Sequence, residues 1–336
     1  MLKLSICIPT YNFGLYIEQT LDSIIPNLCD GVEVVILDGG STDNTSQIVE
    51  LKQSDSHQIF YHNQGFRGGI DRDIAKVVSL SNGEYCWLFS ADDIMKPGAI
   101  AKILQNMESN SDVYLCEQTL CSSEMVPIQE HPIFHNISSS EIFNLGNIMH
   151  RKRYFMHASN SEAFFSYLGG PIFKRTVWEK ANGIPDFFYE TCWGLAGRLL
   201  SLIPKGLVVH YLGESLINKR SGIDSFMDKG IVNRLRITIE GFAVISESIF
   251  GKNSMETFHI RRVTRNEAAF RFRRLISVKI IVASSSHYNG LSELNKIVFK
   301  HYSNAGIINL FKYMIYRLSP IALLKAIKFT KDFLHR

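Results

Sequence analysis

Residues 4–12, LSICIPTYN, and residues 32–45, VEVVILDGGSTDNT, decide the fold. Each opens with a short apolar run rich in branched side chains and breaks at once into polar, turn-forming residues. Between them Gly14–Leu28 carries Leu15, Ile17, Leu21, Ile24 and Ile25 at helical spacing, so these are expected to face inward. Strand, helix, strand is the unit of a mostly parallel sheet flanked by helices, an α/β, Rossmann-like layering. Outward from this unit the rhythm continues. Cap-forming residues Ser41, Thr42, Asp43 and Asn44 open a helix over Thr42–Leu51, and Ile59–His62 is a third strand. Ile70–Leu80 reads as helix, Tyr85–Phe89 as strand, and Pro97–Met107 as helix with proline in its first turn. Val113–Cys116 closes the series.

Beyond Ser122 the pattern loosens into mixed loops to about Asn160, then packed structure returns over Phe164–Phe173 and Thr176–Asn182. Leu207–Tyr211 reads as a strand. After Phe226 the chain is helical: Ile231–Phe250, Glu256–Leu275, Ile307–Leu318 and Ile321–Leu334, the last two split by Pro320. Three regions are expected, 1–120, 121–225 and 226–336, the last helical and basic.

With 336 residues, 46% hydrophobic and 20% charged, the composition excludes collagenous, disordered and disulfide-miniprotein classes. No stretch reaches the roughly 18 uninterrupted apolar residues of a membrane-spanning helix, and the start reads as a strand, so a cytoplasmic protein is expected. Six cysteines show neither a CxxC pair nor metal-type histidine spacing and read as reduced thiols. The charge is unevenly placed: residues 1–260 hold 21 Lys/Arg against 29 Asp/Glu, whereas 261–336 hold 15 against 3. Body and tail therefore meet different surroundings.

Open parallel sheets bind ligands beyond the carboxyl ends of their strands. Three such ends are polar: Pro9, Thr10, Tyr11 and Asn12; Asp38 to Asp43; and Ser90, Ala91, Asp92 and Asp93. Each alone is a weak signal, since Asp after a strand is often a helix cap, but together they converge on one crevice. These motifs, with Gly83–Tyr85, occur in an order and spacing that resembles the family 2 glycosyltransferases of the GT-A fold, over residues 1 to about 120. The resemblance implies transfer of a sugar from a nucleotide-diphosphate donor, with 1–120 the nucleotide-sugar-binding half and 121–225 the acceptor-binding half. It also implies that Asp92 and Asp93 hold Mg²⁺ or Mn²⁺ against the pyrophosphate, that Asp38 accepts from the edge of the base, and that Pro9, Thr10 and Asn12 line the pocket. Ser90 stands where the commonest family pattern has a further Asp. The loop Gly65–Asp71 aligns with a nucleotide-contact segment, giving Arg67 to a base carbonyl or phosphate and Asp71 to the ribose; a helix cap and a solvated arginine are the alternative.

A glycosyl acceptor needs a base to take its hydroxyl proton. The family's acidic pair before an arginine is absent here. In the matching neighbourhood, ahead of Arg198, Glu190 is the first candidate and Asp186 the second. Trp193 and Tyr189 are candidates to stack on a sugar, and His210, Lys219 and Arg220 for metal or phosphate contact. The tail combines apolar helix faces with Arg261, Arg262, Arg265, Arg271, Arg273, Arg274, Lys312, Arg317, Lys325, Lys328 and Lys331. That pattern suits a helix lying on an anionic membrane surface, or a bundle packed on the catalytic domain. Nucleic-acid motifs are missing. The resemblance and the tail together lead to a lipid-linked or surface-polysaccharide acceptor of O-antigen type, reached from the cytoplasmic face of a bacterial membrane. A non-catalytic nucleotide-sugar or glycan binding module is the alternative.

Overall fold

The computed structural model describes residues 2–137, 139–223, 225–227, 229–267, 272–284, 288–303 and 305–320. Its strands are β1 (Leu4–Thr10), β2 (Val32–Asp38), β3 (Ile59–Asn63), β4 (Tyr85–Leu88), β5 (Ile94–Met95), β6 (Val113–Cys121), β7 (Pro127–His131), β8 (Glu141–Asn144), β9 (Pro171–Lys174) and β10 (Val208–Arg220). They form one sheet in the order β3-β2-β1-β4-β9-β6-β10-β5, with β7 on β6 and β8 on β10. β1 is parallel to β2 and β4, and β2 to β3. β9 is antiparallel to both β4 and β6, and β10 runs parallel to β6. The six strands β1, β2, β3, β4, β6 and β10 therefore point the same way, and their carboxyl ends share one edge.

The sheet is accompanied by α1 (Ile17–Ile24), α2 (Thr45–Asp55), α3 (Ile70–Leu80), α4 (Ala99–Asn106), α5 (Ile148–His157), α6 (Arg175–Lys180), α7 (Gly194–Leu202), α8 (Ile231–Leu235) and α9 (Phe242–Phe250). The expected elements of the first third are all present. The alternation in β1 explains its unbroken apolar run: Leu4, Ile6 and Ile8 pack on α1 and α4, whereas Cys7 turns to the other face with α3. Each such buried side chain contributes about 1.5–3 kcal/mol by leaving water. One expectation fails here, because Leu15 precedes the helix proper and is 82% exposed. The Gly83–Tyr85 motif lies at the opposite edge from the crevice. Gly83 donates its N–H to Ser5 Oγ at 2.7 Å, and Ser5 Oγ in turn donates to Glu33.

The loose region after Ser122 holds β7, β8 and α5 rather than loops alone. β10 is thirteen residues long, far beyond the expected Leu207–Tyr211, and its two register shifts against β6 break the apolar alternation.

The tail divides. α10 (Met255–Asn266) packs with α9 into the core of the main sheet, through Phe242, Ile245, Ile260 and Val263. Its arginines are not lipid contacts: Arg261 pairs with Glu247, Arg262 donates to the carbonyls of Met156 and Ala158 at 3.1 and 3.0 Å, and Arg265 is buried. α11 (Phe272–Ser284), α12 (Tyr288–Tyr302) and α13 (Ile307–Leu318) share a separate core with Leu235 and Ile239. α13 begins and ends as expected. Only Tyr316 of α13 is buried, while Ile307, Ile308, Leu310, Phe311, Met314, Ile315 and Leu318 are all exposed. At 100° per residue these seven form one apolar arc of about 160°, bordered by Lys312 on one side and Arg317 on the other. Among the described residues no helix is long and apolar enough to cross a membrane. Arg271 and the expected helix from Ile321 to Leu334, with Lys325, Lys328 and Lys331, lie outside the described residues, as does the side chain of Arg273.

Candidate active site

β1, β2 and β4 are neighbours and parallel, so their ends assemble the crevice. Gly39 N–H donates to the carbonyl of Thr10 at 2.9 Å, joining the first two ends. Pro9 and Thr10 are buried there, and Thr10 Oγ1 is a buried oxygen without a hydrogen-bond partner among the described residues. Asn12 adopts φ 59°, accepts from Thr42 N–H at 2.8 Å, and donates its own N–H to Ser41 Oγ at 2.8 Å. Thr42 and Ser41 belong to the β2 turn, so this one asparagine holds the two loops together.

Asp38 is wholly buried and its carboxylate is already faced by donors of the chain. Oδ1 accepts from Ser41 N–H at 2.8 Å and Ser41 Oγ at 2.7 Å; Oδ2 accepts from Tyr61 Oη at 2.8 Å and Ser46 Oγ at 3.3 Å. It organises the 39–46 turn, and reading a base edge directly requires one of these donors to be exchanged. Burial and this carboxylate push the Tyr61 phenol up to about 12.

Arg67 is exposed, and its guanidinium lies 4.8 Å from the centre of the Tyr11 ring, beside the β1 and β2 ends. The close approach of the two loops is set by Gly40, at φ 75°, where a β-carbon would meet the Gly65 carbonyl carbon at 2.8 Å. Asp71 departs from the expectation of a ribose contact. Its Oδ1 accepts from Gly194 N–H at 2.9 Å, at the start of α7, and its Oδ2 is buried with no partner among the described residues. Burial pushes its carboxyl up to about 7, against the opposing pull of that N–H. Asp71 thus ties α3 to α7, well inside the protein.

Asp92 and Asp93 sit just past β4, both buried. Asp93 Oδ2 accepts from Tyr167 Oη at 2.6 Å and Oδ1 from Arg220 N–H at 2.8 Å. Asp92 Oδ1 accepts from Ser90 Oγ, the residue's own N–H also reaches its carboxylate, and no other described residue donates to its Oδ2. Burial first, and the charge of Asp92 second, push Asp93 up to about 7; burial also raises Asp92. Two acids are held together at one spot with an excess of negative charge, and one oxygen is left open. The pair fits a divalent cation held through Asp92, completed by phosphate oxygens and water. It does not fit two equal ligands, because Asp93 is committed to Tyr167 and to β10. No cluster of three or more His, Cys, Asp or Glu suited to a metal occurs among the described residues.

The end of β10 reaches this point because it runs parallel to β6. Arg220 donates through Nε to the Asp92 carbonyl at 2.9 Å, through Nη2 to Gln19 Oε1 at 2.8 Å and through Nη1 to the Ser123 carbonyl, and it lies 4.9 Å from the Tyr16 ring. Arg220 is a clamp with its donors engaged. Lys219 is partly exposed, 4.2 Å from the Tyr167 ring centre and 3.3 Å from Glu162 Oε1, and it pulls both aspartates down. His210, by contrast, lies near the start of β10, at the opposite edge, between Ser109 Oγ (3.1 Å) and Ser140 Oγ (2.7 Å), and is structural. The sequence offered no signal for Tyr167 or Glu162, whose partners lie 74 and 57 residues away.

Glu190 and Asp186 are exposed at the two ends of a short 3₁₀ segment, Asp186–Thr191. Pro185 and Phe188, flanking Asp186 in sequence, line a cavity of about 270 Å³ with Ser201 and Pro204 at the far end of α7. Glu190 is four residues before Gly194, at the end of α7 that Asp71 holds. Arg198 turns inward: it lies 4.3 Å from the Trp178 ring and donates to Tyr189 Oη at 2.6 Å and Asn182 Oδ1 at 3.0 Å. Trp193 is likewise core, its Nε1 donating to the Ile237 carbonyl at 2.7 Å with its ring against Phe242. Trp193 is therefore not free to stack on a sugar, and Tyr189 is tied to Arg198 through its hydroxyl.

Known proteins resemble this chain along nearly its whole length. Abequosyltransferase RfbV of Salmonella typhimurium is 27% identical over 98% of both chains. Among solved structures, S. aureus TarS residues 1–349 in complex with UDP superposes with a TM-score of 0.62 at 16% identity, covering 94% of this chain and 90% of that one. The mannosyltransferase PcManGT from Pyrobaculum calidifontis, in complex with GDP-Man and Mn²⁺, gives 0.55 at 14% identity over 98% and 87%. These two share the fold, GT-A. The model of glycosyl transferase family 2 matches residues 5–177, just over half of the sequence, and the chain belongs to that family of glycosyltransferases.

Proposed function

We propose that this glycosyltransferase moves a sugar from a nucleotide-diphosphate donor to a lipid-linked or surface-polysaccharide acceptor of O-antigen type. The observation that carries the reading is the meeting of Thr10, Asn12, Asp38, Asp92 and Lys219 at one sheet edge. Full-length similarity to an abequosyltransferase supports the acceptor class, and a deoxyhexose donor within it.

Asp92 would hold Mg²⁺ or Mn²⁺ through its open Oδ2, and Asp93 keeps Tyr167 and β10 in place around it. When bound, such an ion offsets the charge that builds on the departing diphosphate. Lys219 adds a second positive charge on the same side. The Asp38 turn shapes the nucleoside end of the crevice, with Arg67 at its rim for a base carbonyl or phosphate. Glu190 is the general base: the acceptor oxygen attacks the anomeric carbon, the carbon–oxygen bond to the diphosphate breaks with its electron pair, and the hydroxyl proton passes to the Glu190 carboxylate. Asp186 is the second candidate.

The exposed arc of α13 between two cations supports peripheral attachment to the inner face of the membrane, where such an acceptor lies. The test is a nucleotide-sugar panel with a lipid-linked saccharide pool, read by mass spectrometry of products. Transfer lost on Asp92→Ala is the expected result. Tight binding of a nucleotide sugar without any turnover would establish a binding module instead.

A further inference from the structure

Away from the catalytic edge, α12 and α13 line a cavity of about 290 Å³ that is open to solvent. Its walls include Phe299 and Tyr313, whose rings lie 5.5 Å apart, and Asn295, which accepts from Tyr316 Oη at 2.9 Å. Lys296 and Arg317 also line it, and neither pairs with a carboxylate among the described residues. The nearby acids are taken: Glu293 by Arg236, and Glu240 by Lys300 and His301. A third cation stands behind them. Lys279 is buried, lies 4.6 Å from the Tyr316 ring, and donates to the carbonyls of Tyr316 and Ser319 at 2.5 and 3.1 Å. Its ammonium is held below the usual range by burial and then by the charge of Arg317, and none of these three cations pairs with a carboxylate among the described residues.

Such a cavity calls for an anion, and its position says which kind. Arg317 borders the exposed apolar arc of α13, so a group seated between Lys296 and Arg317 has hydrocarbon-compatible surface beside it at Leu310, Met314 and Leu318. A free phosphate uses the cations alone; a phospholipid uses both.

We propose that the α12–α13 cavity is a headgroup site for an anionic phospholipid, with the phosphate between Lys296 and Arg317 and the acyl chains along the α13 arc. This rests on the peripheral attachment proposed above and gives it a specific ligand. The full-length protein is floated with phosphatidylcholine vesicles with and without phosphatidylglycerol, comparing wild type with Lys296→Gln, Arg317→Gln and Lys312→Gln. Lys312 flanks the same arc on the side away from the cavity. Arg317→Gln and Lys296→Gln are each expected to weaken binding to phosphatidylglycerol vesicles tenfold or more, against about fivefold or less for Lys312→Gln, the share of one surface cation. Short-chain dihexanoyl phosphatidylglycerol should bind wild type at least tenfold more tightly than glycerol phosphate does. Equal losses in all three variants would overturn the site while leaving membrane attachment standing. Wild type that fails to float with phosphatidylglycerol vesicles would remove attachment itself. Should removal of residues 320–336 be required before any vesicle binds, the arc is covered by the chain's own end and the proposal fails.

Discussion

Replacing Asp71 by Asn changes almost no atoms and removes one titration. The carboxyl is buried, one oxygen has no partner among the described residues, and its pKa stands at about 7, where a free aspartate titrates near 3.8. A carboxyl raised in the folded state favours folding fully below its unfolded value, and that contribution is lost as pH rises through the folded one. The whole effect amounts to roughly 4 kcal/mol, of which about 2–3 kcal/mol falls between pH 5 and pH 8. Wild type should therefore lose stability relative to Asp71→Asn by that amount over this interval, whatever constant offset the new amide introduces. Urea unfolding of both proteins at half-unit pH steps measures the difference, and other raised acids cancel in it. Binding of nucleoside diphosphate at pH 5 should be the same in both, because Asp71 reaches α7 and not a ligand. Parallel pH profiles, or loss of nucleotide binding without a change in profile, would refute the assignment of Asp71 to the α3–α7 junction.

Tyr61→Phe strips the 2.8 Å donor from buried Asp38 and should cost about 1.5–3 kcal/mol in unfolding free energy, with nucleotide affinity falling as the 39–46 turn loosens. Unchanged stability would mean that Ser41 and Ser46 suffice. Arg198→Met removes a cation from the Trp178 face and leaves Tyr189 and Asn182 without their donor, for an expected loss of about 2 kcal/mol. The same variant should keep donor KM within twofold, whereas an arginine that reached the diphosphate would raise it at least tenfold. Glu190→Gln should lower kcat by ~10²-fold or more and spare donor binding, while Asp186→Asn should leave both unchanged; the reverse ranking in steady-state kinetics would move the base to Asp186.

Much of the first third was legible because each strand ends a short apolar run and each helix has its own period. Thr10, Asn12, Asp38 and Asp92 were legible for the same reason: parallel neighbours place their ends together whatever the sheet's far half does. The far half was not, and the cause is distance along the chain. Tyr167 meets Asp93 and Asp71 meets Gly194 across 74 and 123 residues, and no local pattern encodes such pairs. β10 hid its length behind two register shifts and a polar finish, Asn218 to Arg220, which is where it reaches the aspartates. His210 looked like a strand end because the apolar run stops there, although the strand continues for ten residues and carries the functional edge away from it. In the tail, periodicity showed helices but not what covers them: Arg262 proved to be a clamp on α5, and the α13 arc proved open.

Calorimetric titration of UDP, GDP and CDP into wild type and Asp92→Asn, each with and without Mn²⁺, tests most directly whether the β4 edge grips a nucleotide diphosphate through an ion. The expected result is that one nucleotide binds wild type at least tenfold more tightly with Mn²⁺, and that Asp92→Asn abolishes this gain while keeping the weak metal-free affinity. A gain of equal size in the variant would show that the ion is held elsewhere, and that Asp92 serves only to close the turn after β4.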